Sequence, residues 1–294
     1  MGSLKGQIAY ALQSVQAPKQ KRHEAKLAGV DYEHIFAYRS YRAHRDRLVP
    51  FVLFCEQQYH IRELYELRPA MVAAYVADME RRGLSSSYIT NVLGSIRKLE
   101  MAMKSRGWRL AGGPLTVGLH APGAGEHRYG YSPTEAADLV AHLVATADPR
   151  LARIVRLLDA AGLRLREAVQ LRREDVDVDG GRVRVKGKGG KVRWAACADR
   201  ALLVEILATA AGRFVFDPAP RTMRTIQETV TRARVDLGIE TQAAPCHGFR
   251  GAFAEWFYAA RLAEGQTDQA ARQALAEQFG HKRARETYAY VPRQ

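Results

Sequence analysis

A set of six polar side chains in the second half of the sequence has the composition needed for chemistry on a phosphodiester. A phosphodiester under attack gains negative charge on its non-bridging oxygens, and arginine meets such oxygens with a planar fork of donors that stays charged. Fixed donors aimed at developing charge usually make the largest contribution to catalysis. The set comprises two guanidiniums, two imidazoles, one ammonium and one phenol: Arg164, Arg250, His247, His281, Lys188 and Tyr290.

The phenol of Tyr290 is the candidate nucleophile of this set. A tyrosine phenol, whose ordinary pKa is about 10, attacks poorly at neutral pH unless a base or positive charges lie beside it. The leaving oxygen needs a proton, which a lysine at a hairpin tip such as Lys188 can deliver. No acidic cluster has the spacing of metal ligands, so we expect neither a metal nor another cofactor.

The segments that contain these residues resemble the motifs of the tyrosine recombinases, the phage-integrase-like enzymes. They are a Gly-Leu-Arg box with an acidic residue three positions later, a Gly-Lys-Gly turn, a His-x-x-Arg box, and a Phe-Gly-His box followed nine residues later by tyrosine. The family has Leu where this sequence has Phe279. The resemblance is close over 131–294 and covers the N-terminal part only by its helical character. In this sequence the motifs are Gly162–Arg164 with Glu167, Gly187–Gly189, His247–Arg250, and Phe279–His281 with Tyr290.

The resemblance implies site-specific DNA strand exchange through a covalent 3′-phosphotyrosyl intermediate, with no need for ATP. Each motif residue then has an expected role. Tyr290 attacks the scissile phosphate, Arg164 and Arg250 hold its non-bridging oxygens, Lys188 protonates the departing oxygen, His247 assists proton transfer at the tyrosine, His281 donates to the phosphate, and Glu167 supports Arg164.

The expected partners also follow from the resemblance. They are double-stranded DNA with specific recombination sites, a homotetramer of this chain assembled on that DNA, and accessory DNA-bending proteins. Only four residues follow Tyr290, so we expect a monomer in the absence of DNA. Two other functions share part of the pattern: a type IB topoisomerase-like enzyme that relaxes DNA without a target site, and a non-catalytic DNA-binding regulator.

A second tyrosine, Tyr288, lies two residues before Tyr290. Two positions on a helix differ by a rotation of about 200°, so only one of the two phenols can face the Arg164–Arg250 pocket. The nine-residue spacing of the family favours Tyr290 as the nucleophile and assigns Tyr288 to packing.

The sequence predicts a mainly α-helical protein with a small β-hairpin sheet and two domains. We expect an N-terminal arm at 1–30, a helical core DNA-binding domain at 31–111, a Gly/Pro-rich linker at 112–130 and an α+β catalytic domain at 131–294. Strands at 182–186 and 191–196 alternate around the turn that holds Lys188.

Three finer expectations concern particular helices. Pro50 lies inside a helical pattern and predicts a kink or a break there. In the segment from His247, an apolar stripe that includes Trp256 should face the core. His247 and Arg250 occupy a neighbouring face of that helix, so we expect both to look out of the packed core.

The net charge of +14 favours a polyanionic partner. Residues 1–130 contribute +8 and residues 131–294 contribute +6, so both predicted domains are basic and are suited to hold DNA between them. Composition alone is equally consistent with an ordinary basic protein. The candidate DNA-binding residues lie at outward positions of the predicted helix after Ser85: Arg97, Lys98, Lys104 and Arg106.

The three cysteines are widely spaced and form no C-x-x-C motif, which is typical of a reduced, intracellular protein. Cys246 beside His247 is at most half a zinc site, since partners at usable spacing are missing. No apolar run reaches the roughly 18 residues of a membrane span, and no signal peptide begins the sequence. We therefore expect a cytoplasmic, nucleoid-associated protein with no membrane partner.

Overall fold

The computed structural model describes most of the chain, namely residues 2–18, 22–30, 32–110, 112–120, 130–187, 190–241 and 243–292, with backbone only at 22–23. The chain divides into two compact units, Met1–Glu126 and His127–Gln294. The division falls within the segment 112–130 predicted as a linker, of which 121–129 lie outside the described residues. Each unit has its own hydrophobic core.

The first unit is a helical bundle. Its second long helix begins with proline at the first helical position, and its third is capped by the Ser85 side chain, which accepts from the Tyr88 amide at 3.2 Å. Both caps agree with the sequence prediction. The helices are α1 (Leu4–Gln13), α2 (Arg22–Leu27), α3 (Tyr38–Tyr59), α4 (Pro69–Arg81) and α5 (Ser86–Ser105), with a 3-10 turn at Leu64–Glu66.

Helix α1 is part of this bundle, which differs from the predicted separate N-terminal arm. Its apolar side chains Leu4, Ile8 and Leu12 are buried in the core of the first unit. The Gln7 amide donates to the Arg62 carbonyl at 3.0 Å and fixes the helix against the 3-10 turn. Apolar spacing over only ten residues is a weak signal and does not by itself predict that a helix packs into a core.

Of the kink or break predicted at Pro50, the break is wrong, because helix α3 continues through this residue. Pro50 is exposed, whereas Leu48, Phe51 and Val52 around it are completely buried. The packing of these side chains holds the helix together although Pro50 cannot donate a hydrogen bond to the carbonyl of residue 46.

The second unit surrounds a small antiparallel sheet with helices, as the sequence predicted. Ser132 and Glu135 form the expected capping box at the start of its first helix. The helices are α6 (Pro133–Thr146), α7 (Pro149–Ala161), α8 (Leu165–Val169), α9 (Arg200–Ala208), α10 (Pro220–Asp236), α11 (Pro245–Ala263) and α12 (Asp268–Phe279), with 3-10 turns at Arg173–Asp175 and Ala284–Ala289.

The described strands of the sheet lie side by side in the order β1 (Val176–Asp177), β2 (Arg182–Lys186) and β3 (Val192–Ala196). Strands β2 (Arg182–Lys186) and β3 (Val192–Ala196) form the predicted hairpin, with Arg184 opposite Trp194. Val183, Val185 and Ala195 form its buried face. Strand β1 (Val176–Asp177) was missed, because two residues are too short to show alternation.

Trp256 contradicts its predicted core position. It is 47% exposed, while its neighbours Phe253 and Phe257 on α11 are buried. Exposed Ala259 lies three residues later, on the same side of the helix. The buried face of α11 is therefore formed by other residues of this helix, and Trp256 lies outside that face. Among the described residues, no helix combines the length and apolar character required to cross a bilayer.

We predict that Pro50→Ala stabilises the first unit by about 1–2 kcal/mol, because alanine restores the N–H that the middle of a helix requires. The urea midpoint measured by circular dichroism should rise. Gln57→Ala, at an exposed position of the same helix, serves as the control and should change the midpoint little. A lower midpoint for Pro50→Ala would show that proline fits α3 better than alanine.

Candidate active site

Helix α11 carries the His-x-x-Arg pair, but the two side chains have different environments. His247 is exposed, as expected, whereas Arg250 is fully buried at 0% exposure. The expectation that Arg250 looks out of the core is therefore wrong. The C-terminal ends of α7 and α12 meet over this position and supply carbonyl groups that accept from the guanidinium. The guanidinium can therefore remain in the interior.

The guanidinium of Arg250 is bonded on three sides. Its Nη1 donates to the Gly162 carbonyl, its Nη2 donates to the Phe279 carbonyl at 3.0 Å, and its Nε lies 3.4 Å from the Tyr290 hydroxyl. Its Cζ also stacks 3.5 Å from the centre of the Phe279 ring. Burial lowers the pKa of Arg250 to about 10, so the group remains charged at neutral pH.

Gly162 forms the turn that brings the first arginine box to Arg250. It ends α7 in the left-handed region at φ 59°, and a Cβ there would lie 2.6 Å from the Phe253 ring. Only glycine satisfies both the backbone conformation and the close packing. The turn presents the Gly162 carbonyl to Arg250 and leads directly into Arg164.

Arg164 is the N-cap of α8, and its backbone amide donates to Glu167 Oε2 at 3.0 Å. Its Nη1 donates to Glu167 Oε1 at 2.9 Å, and its side chain remains 35% exposed. Burial alone would raise the pKa of Glu167, but hydrogen bonds and charge from Arg193, with Arg164 contributing less, hold it at about 2. The carboxylate is therefore ionised at neutral pH.

His281 follows Gly280, the left-handed C-cap of α12. Its Nδ1 lies 2.6 Å from Glu286 Oε2. Its Nε2 is buried and has no hydrogen-bond partner among the residues that the structure describes. Burial lowers the pKa of His281, the bond to Glu286 opposes that shift, and the charge of Arg250 reinforces it.

Tyr290 lies close to both histidines. Its ring centre is 6.0 Å from that of His247, 6.1 Å from that of His281 and 5.0 Å from that of Phe279. Although His247 is exposed as a residue, desolvation of its ring by neighbouring groups lowers its pKa, and the charges of Arg250 and Arg164 add to that shift. A neutral imidazole that can accept a proton thus lies close to the phenol.

Tyr288 is directed elsewhere. Its ring packs over the guanidinium of Arg272, with Cζ 4.1 Å from the ring centre. Arg272 is 2% exposed and donates to the carbonyls of Val291 at 2.8 Å and Pro292 at 3.1 Å. Its Nε also donates to Asp268 at 2.7 Å. Arg272 therefore anchors the segment that follows Tyr290 to α12.

Lys188 lies outside the described residues, so its prediction stays untested. The chain on either side of it forms the expected hairpin, in which the Gly187 amide donates to the Lys191 carbonyl at 2.7 Å.

Three residues that the motifs did not indicate complete the site. Arg193 donates to Glu167, and Gln278 donates to the Ala161 carbonyl at the end of α7. Arg272 donates to the Val291 carbonyl in the segment after Tyr290. Arg193 had a detectable signal, because strand alternation places it on the same face as buried Ala195. Gln278 and Arg272 lie within a helical pattern that gave no such indication.

The four candidate DNA-binding residues of the first unit differ in accessibility. Arg97 and Lys104 are exposed, and Arg106 lies over the Tyr10 ring at 3.8 Å. Lys98 is buried and donates to the Tyr32 and His34 carbonyls. The predicted outward position of Lys98 is therefore wrong, because the chain before α3 covers that part of α5.

Comparison with known proteins supports the family resemblance that the motifs indicate. Residues 132–294 match the model of the phage integrase family. The chain is 27% identical to the tyrosine recombinase XerD of Caulobacter vibrioides, over 78% of each chain. Its fold is similar to that of XerH recombinase bound to its difH substrate in a post-cleavage complex, with TM-score 0.68, 16% identity, and coverage of 98% of this chain and 90% of that one. It is also similar to a lambda integrase tetramer bound to a Holliday junction, with TM-score 0.65, 15% identity, and coverage of 93% and 77%.

We predict that Arg272→Met releases the segment that carries both tyrosines. Two carbonyls lose charge-assisted hydrogen bonds, each of which contributes about 1.5–3 kcal/mol. Hydrogen–deuterium exchange of a peptide spanning 284–292 should become faster. Arg261→Met, which removes an arginine paired with exposed Glu264, is the matched control. Equal exchange in the two variants would show that Arg272 does not anchor the tail.

Proposed function

We propose that this chain, which belongs to the phage integrase family and is a tyrosine recombinase, cuts and rejoins DNA with Tyr290 as its nucleophile. The observation that carries this assignment is the position of the Tyr290 hydroxyl beside the buried Arg250 guanidinium, with the imidazoles of His247 and His281 about 6 Å from its ring. Tyr288, by contrast, packs on Arg272.

In the proposed first step, the phenol oxygen of Tyr290 attacks the scissile phosphorus. The bond from phosphorus to the 5′-oxygen breaks and a 3′-phosphotyrosyl bond forms, so the energy of the phosphodiester is retained and a second DNA 5′-hydroxyl can reverse the step. His247 accepts the phenolic proton, for which its lowered pKa keeps it available in the neutral form. Lys188 donates a proton to the departing 5′-oxygen.

Arg164 and Arg250 are proposed to stabilise the charge on the phosphate. Arg164 is partly exposed and uses Nη1 for Glu167, while its Nε and Nη2 have no hydrogen-bond partner in the described part of the chain. These donors are suited to non-bridging oxygens. Arg250 lies deeper, and its charge 3.4 Å from the phenol oxygen favours the negative charge that develops there.

His281 is proposed to donate to a phosphate oxygen through Nε2. A neutral imidazole that donates from Nδ1 to Glu286 has only a lone pair at Nε2, so donation to phosphate requires the protonated ring. The negative charges of Glu286 and of an incoming phosphate both favour that form. The buried, unpartnered Nε2 would then gain a hydrogen-bond acceptor from the substrate.

The proposed substrate is double-stranded DNA with specific recombination sites, on which four copies of the chain assemble in the nucleoid. The matched XerH is bound to a palindromic substrate and the matched lambda integrase is a tetramer on a Holliday junction, which supports this assembly. The exposed Arg97 and Lys104 of the first unit and the half-buried Arg106 are proposed to contact phosphates. Recombination that requires an added host fraction would identify accessory DNA-bending proteins.

We predict that Tyr290→Phe abolishes the covalent protein–DNA adduct on a nicked suicide substrate. Only a hydroxyl is removed, so DNA affinity should stay near that of the unmodified protein. Tyr288→Phe is the matched control and should still form the adduct, detected as a slower band on a denaturing gel. Loss of the adduct in Tyr288→Phe with its retention in Tyr290→Phe would reverse the assignment.

We also predict a steep dependence of DNA affinity on salt, because phosphate contacts release counterions. With six or more contacts, affinity should fall roughly a thousandfold between about 50 and about 200 mM salt. Lys104→Gln should reduce the slope of the log–log plot by about 1. Lys98→Gln should leave the slope unchanged, since its ammonium is committed to carbonyls. A flat plot would contradict binding through phosphates.

A further inference from the structure

We infer that Arg193, which lies outside the recognised motifs, is a positioning residue that balances the charge of Glu167 and so keeps Arg164 available to the scissile phosphate. The inference rests on the role of Arg164 under the proposed function. It adds to the site a mostly buried arginine that acts through Arg164 and not on the substrate itself.

Arg193 is held in a fixed geometry. It lies on β3 with 11% of its side chain exposed, and it meets Glu167 with two parallel contacts, Nη1 to Oε1 at 3.1 Å and Nη2 to Oε2 at 3.0 Å. Such fork-to-fork pairs are the most directional of ion pairs. Its third donor, Nε, bonds the Gln278 carbonyl at 2.7 Å. All three nitrogens of the guanidinium are thus used within the protein.

Glu167 is saturated by this arrangement. Besides Arg193, it accepts from the Arg164 Nη1 at 2.9 Å and from the Arg164 backbone amide at 3.0 Å. One carboxylate between two guanidiniums leaves a net charge of +1 on the cluster. Arg193 makes two contacts with the Glu167 carboxylate, whereas the Arg164 guanidinium makes only one, through Nη1. The net positive charge of the cluster is therefore available on Arg164 for a phosphate.

Removal of Arg193 would change that balance. Glu167 would then pair with Arg164 alone, the cluster would become neutral, and the free carboxylate oxygen would draw the Arg164 guanidinium toward the interior. A phosphate dianion in the transition state would then meet a neutral ion pair instead of a net positive charge.

The strand that carries Arg193 is fixed relative to the arginine box by Gln278. The Gln278 side chain accepts from the Ala196 amide at 2.9 Å and donates to the carbonyls of Ala196 at 2.9 Å and Ala161 at 3.1 Å. It therefore ties the end of β3 to the end of α7, two residues before Leu163 and three before Arg164. Arg193 and Gln278 together set the distance between the hairpin and the first arginine box.

The test compares single-turnover cleavage of a nicked suicide substrate by Arg193→Gln, Glu167→Gln and the double variant. Arg193→Gln should lower the rate roughly 10- to 100-fold, the effect of one lost charge-assisted interaction. The double variant removes the uncompensated carboxylate as well and should recover to within about tenfold of the unmodified protein. Arg156→Gln, which breaks an ion pair with Asp199 and Glu205, is the matched control and should cleave within about twofold of normal.

A second substrate separates charge balance from simple structural support. A methylphosphonate at the scissile position lacks one negative oxygen, so its cleavage depends less on positive charge. The deficit of Arg193→Gln should shrink on this substrate. A double variant as slow as Arg193→Gln, together with an unchanged deficit on the methylphosphonate, would overturn the inference and leave Arg193 a structural residue.

Arg164→Gln distinguishes failure of the inference from failure of the proposed function. Slow cleavage by Arg164→Gln with normal cleavage by Arg193→Gln would overturn the inference alone. Normal cleavage by Arg164→Gln would overturn both, as would an unmodified protein that forms no adduct.

Discussion

The buried guanidinium of Arg250 is the constraint on which the site depends. A charge in a protein interior is costly unless polar groups surround it, and removal of one partner leaves that cost uncompensated. Arg250 takes its partners from the carbonyl ends of two helices, at Gly162 and Phe279. Helix C-termini carry partial negative charge, so both ends favour the cation. The charge therefore holds α7, α11 and α12 together at the point where the motifs meet.

A second polar layer surrounds this charge. Glu167 joins the first arginine box to β3 through Arg193, and Gln278 joins β3 to the end of α7. Each of these groups is buried or nearly so, and each contact is a hydrogen bond that requires a particular geometry. Buried polar networks that are satisfied in this way fix a single arrangement of the elements around them. The hydrophobic cores supply the stability of the second unit, while these bonds determine its local geometry.

The sequence identified the family motifs, the hairpin and most helices, because caps, alternation and motif spacing are local signals. It did not identify features that depend on what packs against a residue. The exposure of Trp256 and the burial of Lys98 and Arg250 are decided by neighbours remote in the chain. The unbroken helix through Pro50 likewise reflects core packing that outweighs a local preference. Glu167 was expected to support Arg164, but its second partner, Arg193, becomes evident only once the strand and α8 are seen together.

The anchoring of the chain on both sides of Tyr290 has a consequence for the entropy of the reaction. His281 and Glu286 are bonded before the tyrosine, and Arg272 binds the carbonyls of Val291 and Pro292 after it. A phenol on a loose tail would lose many rotational states when it reached a phosphate. Here most of those states are already absent in the folded protein, so little ordering remains for the step itself. Under the proposed function, the phenol therefore meets a bound phosphate at high effective concentration, although it lies near the end of the sequence.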